Sequence, residues 1–184
     1  MTTFLALLRG VNVGKANRVP MAELRRLLEG NGCANVATLL NSGNAVFQRD
    51  KAPSAKIAAE IATALAARLR VTVPVVVKSL SEYEAIVQEN PFAGRAADHA
   101  SLLVAFTQDS KALSTLASLA ALAEPPDEFA LGKYAAYLHC ATGILESKIG
   151  AAVLGKPGSS ATSRNWATCL KLHELLRRCQ AGPL

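Results

Sequence analysis

The chain has 184 residues, of which 51% are hydrophobic, and it carries a formal net charge of +6. This apolar content excludes a disordered chain and suffices for one large core or two smaller ones. The apolar run from Met1 to Leu8 is too short for a membrane span and follows no basic leader. We therefore expect neither a signal peptide nor a membrane protein, and we expect a cytoplasmic location.

The cysteines and the charges indicate which cofactors and partners the protein has. Four cysteines lie far apart in the sequence with no C-x-x-C pair, which favours reduced, buried thiols over disulfides or a zinc site. We expect no metal and no cofactor. Residues 1–70 carry 10 cations and 4 anions, residues 71–145 carry 4 and 8, and residues 146–184 carry 6 and 2. The basic ends favour an anionic partner.

Hydrophobic periodicity in the first half predicts six elements in the order β-α-β-β-α-β. The predicted strands are residues 3–8, 36–40, 45–48 and 71–77, and the predicted helices are residues 20–29 and 53–69. Pro20 suits the start of the first helix, and Ser42-Gly43 suits a hairpin turn. This order is typical of a ferredoxin-like lobe.

The second half repeats this pattern in part. After a helix at residues 81–88, we predict strands at 102–106, 128–131 and 135–140 and helices at 111–122, 147–154 and 164–179. The second lobe thus lacks its last strand and ends in a helix. We predict an α+β fold of two ferredoxin-like lobes, residues 1–80 and 81–184, packed as one compact unit.

The first strand is apolar on both faces, since Phe4, Ala6 and Leu8 alternate with Leu5 and Leu7. A single ferredoxin-like sheet covers only one face with helices. We expect the second lobe to cover the other face, with a dimer partner as the alternative, so the protein is predicted to be a monomer or a dimer.

Three polar segments interrupt the apolar pattern, at residues 9–18, 41–44 and 162–166. In the predicted topology the first and second strands point the same way, so the first two segments emerge at one sheet edge. The third segment places an arginine and an asparagine in the first turn of a helix, where anions are favoured. We expect all three segments to line one positively charged cleft between the lobes.

Four sequence blocks together resemble one bacterial family. The blocks are residues 7–14 (LLRGVNVG), 19–24 (VPMAEL), 41–47 (NSGNAVF) and 163–166 (SRNW). They closely resemble domain-of-unknown-function family 1697 over nearly the whole chain. The chain departs from the family pattern at Lys15, where a glycine is usual, at Asn41, where a glutamine is usual, and at Ala167, where a polar residue is usual. The resemblance implies a compact cytosolic α/β protein and brings no established activity.

The sequence matches neither of two common phosphate- or RNA-binding motifs, the P-loop and the RNA recognition motif. Residues 150–156 have the glycine and lysine spacing of a P-loop, but Pro157 stands where the magnesium-binding Ser or Thr belongs. Residues 10–15 are one residue too short for a P-loop and offer at most a looser anion cradle. An RNA recognition motif would need aromatic side chains for base stacking, and the third strand offers only Phe47.

The sequence therefore leaves two functional hypotheses open. The first is binding of a phosphate- or carboxylate-bearing small molecule, such as a nucleotide, or of RNA through its phosphates. The second is a metal-independent enzyme acting on such a ligand, with Ser42 or an unassigned carboxylate in the chemistry. The predicted ligand-binding residues are Arg9, Asn12, Lys15, Ser42, Asn44, Arg164 and Asn165.

Overall fold

The computed structural model describes residues 1–14, 16–94 and 99–182 and divides into two compact units. One unit comprises Met1–Tyr83 and Leu172–Leu184, and the other comprises Glu84–Lys171. The predicted division into residues 1–80 and 81–184 assigns the C-terminal segment to the second lobe, whereas here that segment belongs to the first unit.

The first unit has the predicted ferredoxin-like topology. Its elements are β1 (Thr2–Leu8), α1 (Met21–Gly30), β2 (Ala34–Leu39), β3 (Asn44–Arg49), α2 (Ser54–Leu69) and β4 (Val75–Ser79). The sheet order is β2-β3-β1-β4, and every neighbouring pair is antiparallel. In the β1–β3 register, Leu7 lies opposite Asn44, so β3 begins where β1 ends.

The second unit repeats this topology. The elements that follow β4 are α3 (Leu80–Glu89), β5 (Leu102–Thr107), α4 (Ser110–Ala117), a 3-10 turn (Ala120–Leu122), β6 (Glu128–Leu131), β7 (Ala135–His139), α5 (Lys148–Leu154), β8 (Ala161–Asn165) and α6 (Trp166–Ala181). The sheet order is β6-β7-β5-β8, again with antiparallel neighbours. The boundaries between the units lie within α3 and α6. The prediction of an α+β protein with two similar lobes is confirmed.

One part of the fold prediction was wrong. The second lobe is not incomplete, because β8 pairs with β5 along its whole length. Arg164 and Asn165 therefore end a strand and do not form the first turn of a helix. The helix begins at Trp166, two residues later than predicted, because the Asn165 side chain caps it, its Oδ1 accepting a hydrogen bond of 2.9 Å from the Thr168 amide.

Two other boundaries shift for local chemical reasons. The strand predicted at residues 71–77 begins only at Val75, since Pro74 has no N–H to donate to a sheet. The helix predicted at residues 111–122 ends at Ala117 and is followed by the 3-10 turn. Near its end the Ser118 hydroxyl donates to the Thr115 carbonyl at 2.7 Å, a local bond that competes with continued helix.

The first strand is buried on both faces, as predicted. Phe4, Ala6 and Leu8 belong to a core formed with side chains of α1 and α2, and Leu5 and Leu7 on the opposite face are also fully buried. Within the first unit, the C-terminal part of α6 is bonded to this sheet. Gln48 Nε2 donates to the Cys179 carbonyl at 2.9 Å, and Thr3 Oγ1 donates to Gln180 Oε1 at 2.6 Å.

The second unit has its own core. It is built from buried side chains of β5, β7 and the surrounding helices, including Leu103, Leu116, Leu138, Ile149 and Val153. All four cysteines are buried, and none of them forms a disulfide. In the part of the chain that the structure describes, no helix combines the length and apolar character needed to cross a membrane.

Candidate functional site

The loop after β1 and the β2–β3 hairpin meet at one edge of the first sheet. The Leu8 amide donates to the Gly43 carbonyl at 2.8 Å, and Asn12 Nδ2 donates to the Asn41 carbonyl at 2.7 Å. The sequence-based prediction that these two segments are neighbours is confirmed. They form the frame of the candidate site.

Asn12 holds this frame together. Besides its bond to Asn41, its Nδ2 donates to the Val19 carbonyl at 2.8 Å, and its Oδ1 accepts from the Val19 amide at 2.9 Å. Its φ of 57° lies in the left-handed region, which asparagine tolerates better than most residues. Both amide protons are thus engaged within the protein, so the side chain positions the loop and the start of α1.

Asn44 and Ser42 organise the hairpin. Asn44 is fully buried, and its Nδ2 donates to the Leu39 carbonyl at 2.8 Å and to Ser42 Oγ at 3.2 Å. Ser42 is half-buried. These bonds fix the end of β2 against the start of β3, which gives both residues a role in shaping the site.

A pocket of about 400 Å³ opens beside this frame. Its lining residues are Asn12, Gly14, Arg18, Val19, Pro20, Met21 and Asn41. The pocket contains the N-terminus of α1, because Pro20 is the N-cap residue of that helix. Proline has no side-chain acceptor, so the N-cap residue itself makes no side-chain capping bond to α1. The first helical hydrogen bond runs from the Leu24 amide to the Pro20 carbonyl, so the preceding amides have no partner within the helix.

Two arginines add positive charge at this edge. Arg18 is exposed and lines the pocket. Arg9 is half-buried, and its backbone amide donates to the Pro74 carbonyl at 3.0 Å. Burial lowers the pKa of the Arg9 guanidinium, which nevertheless stays protonated near neutral pH. Lys15, the third predicted cation, lies outside the described residues.

The sequence analysis did not select Arg18 or the apolar residues Val19 and Met21 that line the pocket. The signal was present, since a cation that precedes a helix-starting proline by two residues lies close to the helix N-terminus. In the sequence analysis, Val19 and Met21 belong to the family block at residues 19–24. Val19 is fully buried, whereas Met21 is half-buried and reaches the pocket.

The remaining predicted residues belong to the second unit. Arg164 Nη1 donates to Thr162 Oγ1 at 3.0 Å and to the Ser163 carbonyl at 2.7 Å. Asn165 is half-buried and serves as the cap of α6. Their participation in one site with the first-unit residues stays a prediction.

The topology and the pocket define an α+β protein of two ferredoxin-like units with a polar pocket at a strand-to-helix junction. The model of the family described as "Protein of unknown function (DUF1697)" matches residues 1–137, and the chain belongs to this family. The chain is similar to the conserved bacterial protein SP0830 from Streptococcus pneumoniae, with 26% identity and a TM-score of 0.80. The likeness covers 95% of this chain and 98% of that one. A comparison with curated proteins gives no match.

Proposed function

We propose that this protein binds an anionic ligand, carrying a phosphate or a carboxylate, in the pocket at the start of α1. One observation carries the proposal: the pocket combines an exposed Arg18 with the N-terminus of a ten-residue helix that begins directly after a proline. Both features favour negative charge in the same 400 Å³ space.

The physical basis is the helix dipole together with a charged donor. A helix N-terminus acts as roughly half a positive charge, and its first amides point toward a bound anion. A guanidinium adds paired N–H donors that match a phosphate or a carboxylate. The bonds of Asn12 hold the loop before binding, so little ordering of the loop accompanies binding.

Nucleotides and the phosphates of RNA are ligands of the proposed class. We further propose a cytoplasmic location. The four cysteines support it because none of them forms a disulfide, and reducing compartments keep thiols in this state.

The proposal is tested by titrating inorganic phosphate, pyrophosphate and adenosine monophosphate into ¹⁵N-labelled protein. We expect the largest chemical shift changes at the amides of Met21, Ala22 and Glu23. Arg18→Gln should weaken binding by about five- to thirty-fold, the range expected for losing a charge-assisted hydrogen bond at an exposed site.

Arg68→Gln is the matched control. A Cβ placed on Gly30 would lie 2.8 Å from Arg68 Nη1, so Arg68 lies at the opposite end of α1 from the pocket. A ten-residue helix is about 15 Å long, which exceeds the screening length of roughly 8 Å at physiological salt. Arg68→Gln should change the dissociation constants by less than about two-fold. Equal weakening by both variants, or shift changes that avoid the start of α1, would reject the proposed pocket.

A further inference from the structure

Two large apolar side chains that neighbour lining residues of the pocket in the chain are exposed. Val13 is 74% exposed and Leu40 is 54% exposed. Val13 lies between Asn12 and Gly14, which both line the pocket, and Leu40 directly precedes Asn41, which also lines it. The 2.7 Å bond from Asn12 to the Asn41 carbonyl holds these two segments together.

Part of the pocket wall is apolar as well. Val19, Pro20 and Met21 contribute to the lining, next to the cation Arg18. The site therefore presents charge-binding groups and exposed hydrocarbon side by side. The bond from Asn12 to Asn41 brings the segments that carry Val13 and Leu40 together, and exposed apolar side chains that are grouped beside a binding groove mark a surface for an apolar group.

We propose that the ligand joins its anionic group to an apolar group. The phosphate or carboxylate lies at the start of α1 beside Arg18, and the apolar group covers Val13 and Leu40. An alkyl or aromatic phosphate monoester has this chemistry. The inference rests on the proposed function and extends it, because inorganic phosphate alone would leave Val13 and Leu40 exposed.

The test is an isothermal titration series with inorganic phosphate, methyl phosphate, butyl phosphate and hexyl phosphate. The dissociation constant should fall by up to about two- to four-fold for each methylene that becomes buried. In the double variant V13S/L40N this dependence on chain length should disappear, while the affinity for inorganic phosphate stays unchanged. Asparagine suits position 40 because its φ is 58°, a left-handed value.

Leu145→Ser is the matched control, since Leu145 is 76% exposed and lies in the second unit. It should retain the full dependence on chain length. The two proposals fail in different ways. Absence of phosphate binding would overturn the proposed function, whereas phosphate binding that depends on Arg18 but not on alkyl length would overturn only this inference.

A final arm separates the two sources of such a ligand. Vesicles that contain phosphatidic acid are sedimented with the wild-type protein and with V13S/L40N. Co-sedimentation of the wild type alone assigns the apolar group to a lipid. If the wild type stays in solution while it binds butyl and hexyl phosphate, the ligand is a soluble ester.

Discussion

At the scale of single residues, Gly43 has the strictest steric requirement of the site. Its φ is 74°, and a Cβ at this position would lie 2.6 Å from Leu8 Cβ and 2.7 Å from Val11 Cγ2. Gly43→Ala should therefore combine the cost of a left-handed residue with that of overpacking. We expect a loss of about 2–4 kcal/mol in the free energy of unfolding, measured by urea titration.

Gly10→Ala separates these two costs. Gly10 has a similar φ of 62°, but among the described residues no atom lies within 4 Å of the position of its Cβ. This variant should lose only about 1 kcal/mol, because it introduces backbone strain without a clash. Equal losses for the two variants would show that the close packing of the hairpin against the β1 loop contributes nothing to stability.

The asparagines show what a residue pattern can and cannot predict. Their placement at the ends of strands correctly indicates loops that need unusual backbone angles and local hydrogen bonds. The sequence does not reveal that Asn12 bonds to Val19 and Asn41, or that Asn44 is fully buried. An asparagine side-chain amide can bind a ligand or stabilise a loop. Only the observed hydrogen bonds show which of these roles a given asparagine has.

At the scale of elements, α1 and α2 form a matched pair. Both begin after a proline with nearly the same backbone angles, φ −59° and ψ 133° at Pro20 against φ −58° and ψ 132° at Pro53. Only the first of these helix starts lines the pocket. The two helices thus allow the effect of capping on stability to be separated from its effect on binding.

Pro20→Ser should supply a hydroxyl that accepts from an amide of the first turn and competes with the anion. We expect phosphate to bind about two- to five-fold more weakly, the range of a helix-terminus contribution. The free energy of unfolding should change by less than about 0.5 kcal/mol, because the new cap stabilises the helix while the loss of the rigid proline destabilises the fold.

Pro53→Ser is the control for this prediction. It should show the same small change in the urea midpoint and no change in phosphate affinity, measured by isothermal titration. If both variants weaken phosphate binding alike, the start of α1 is not the anion site.

The elements that sequence analysis missed have weak local patterns. β8 is only five residues long, ends in Ser-Arg-Asn and owes its existence to pairing with β5, a contact that no local window contains. Long amphipathic helices and mostly apolar strands such as β1 are specified by their own residues. The missed strand depends on its partner, which the ferredoxin-like topology of the first lobe could have suggested.

At the scale of the whole molecule, the order of elements predicted both lobes and the meeting of the first two polar segments. Strand direction alone requires the loop after β1 and the hairpin to share an edge. The pocket itself was not predictable in detail, since Arg18 gains significance only from its place beside the start of α1. One argument for grouping Arg164 with these residues was an assumed helix start, which the structure replaces with a strand.

The whole protein should lose stability at alkaline pH. Burial raises the pKa values of the Cys33, Cys140 and Cys179 thiols. Burial also raises the pKa of the Tyr137 hydroxyl, and Glu89 adds to this effect. Because the folded pKa values exceed the unfolded ones, these groups contribute full stability below the unfolded pKa. That stability is lost as the pH rises toward the folded values.

The urea midpoint, measured with a reductant at pH 7.5, 8.5, 9.5 and 10.5, should begin to fall near pH 8.5, where unfolded thiols ionise. The fall should steepen near pH 10, where an unfolded tyrosine ionises. Tyr137→Phe should lower stability at pH 7.5 by about 1 kcal/mol, because the hydroxyl donates a 2.8 Å bond to the Ile86 carbonyl. The same variant should flatten the decline above pH 10. A midpoint that stays constant from pH 7.5 to 10.5 would mean that folding does not raise the pKa values of these groups.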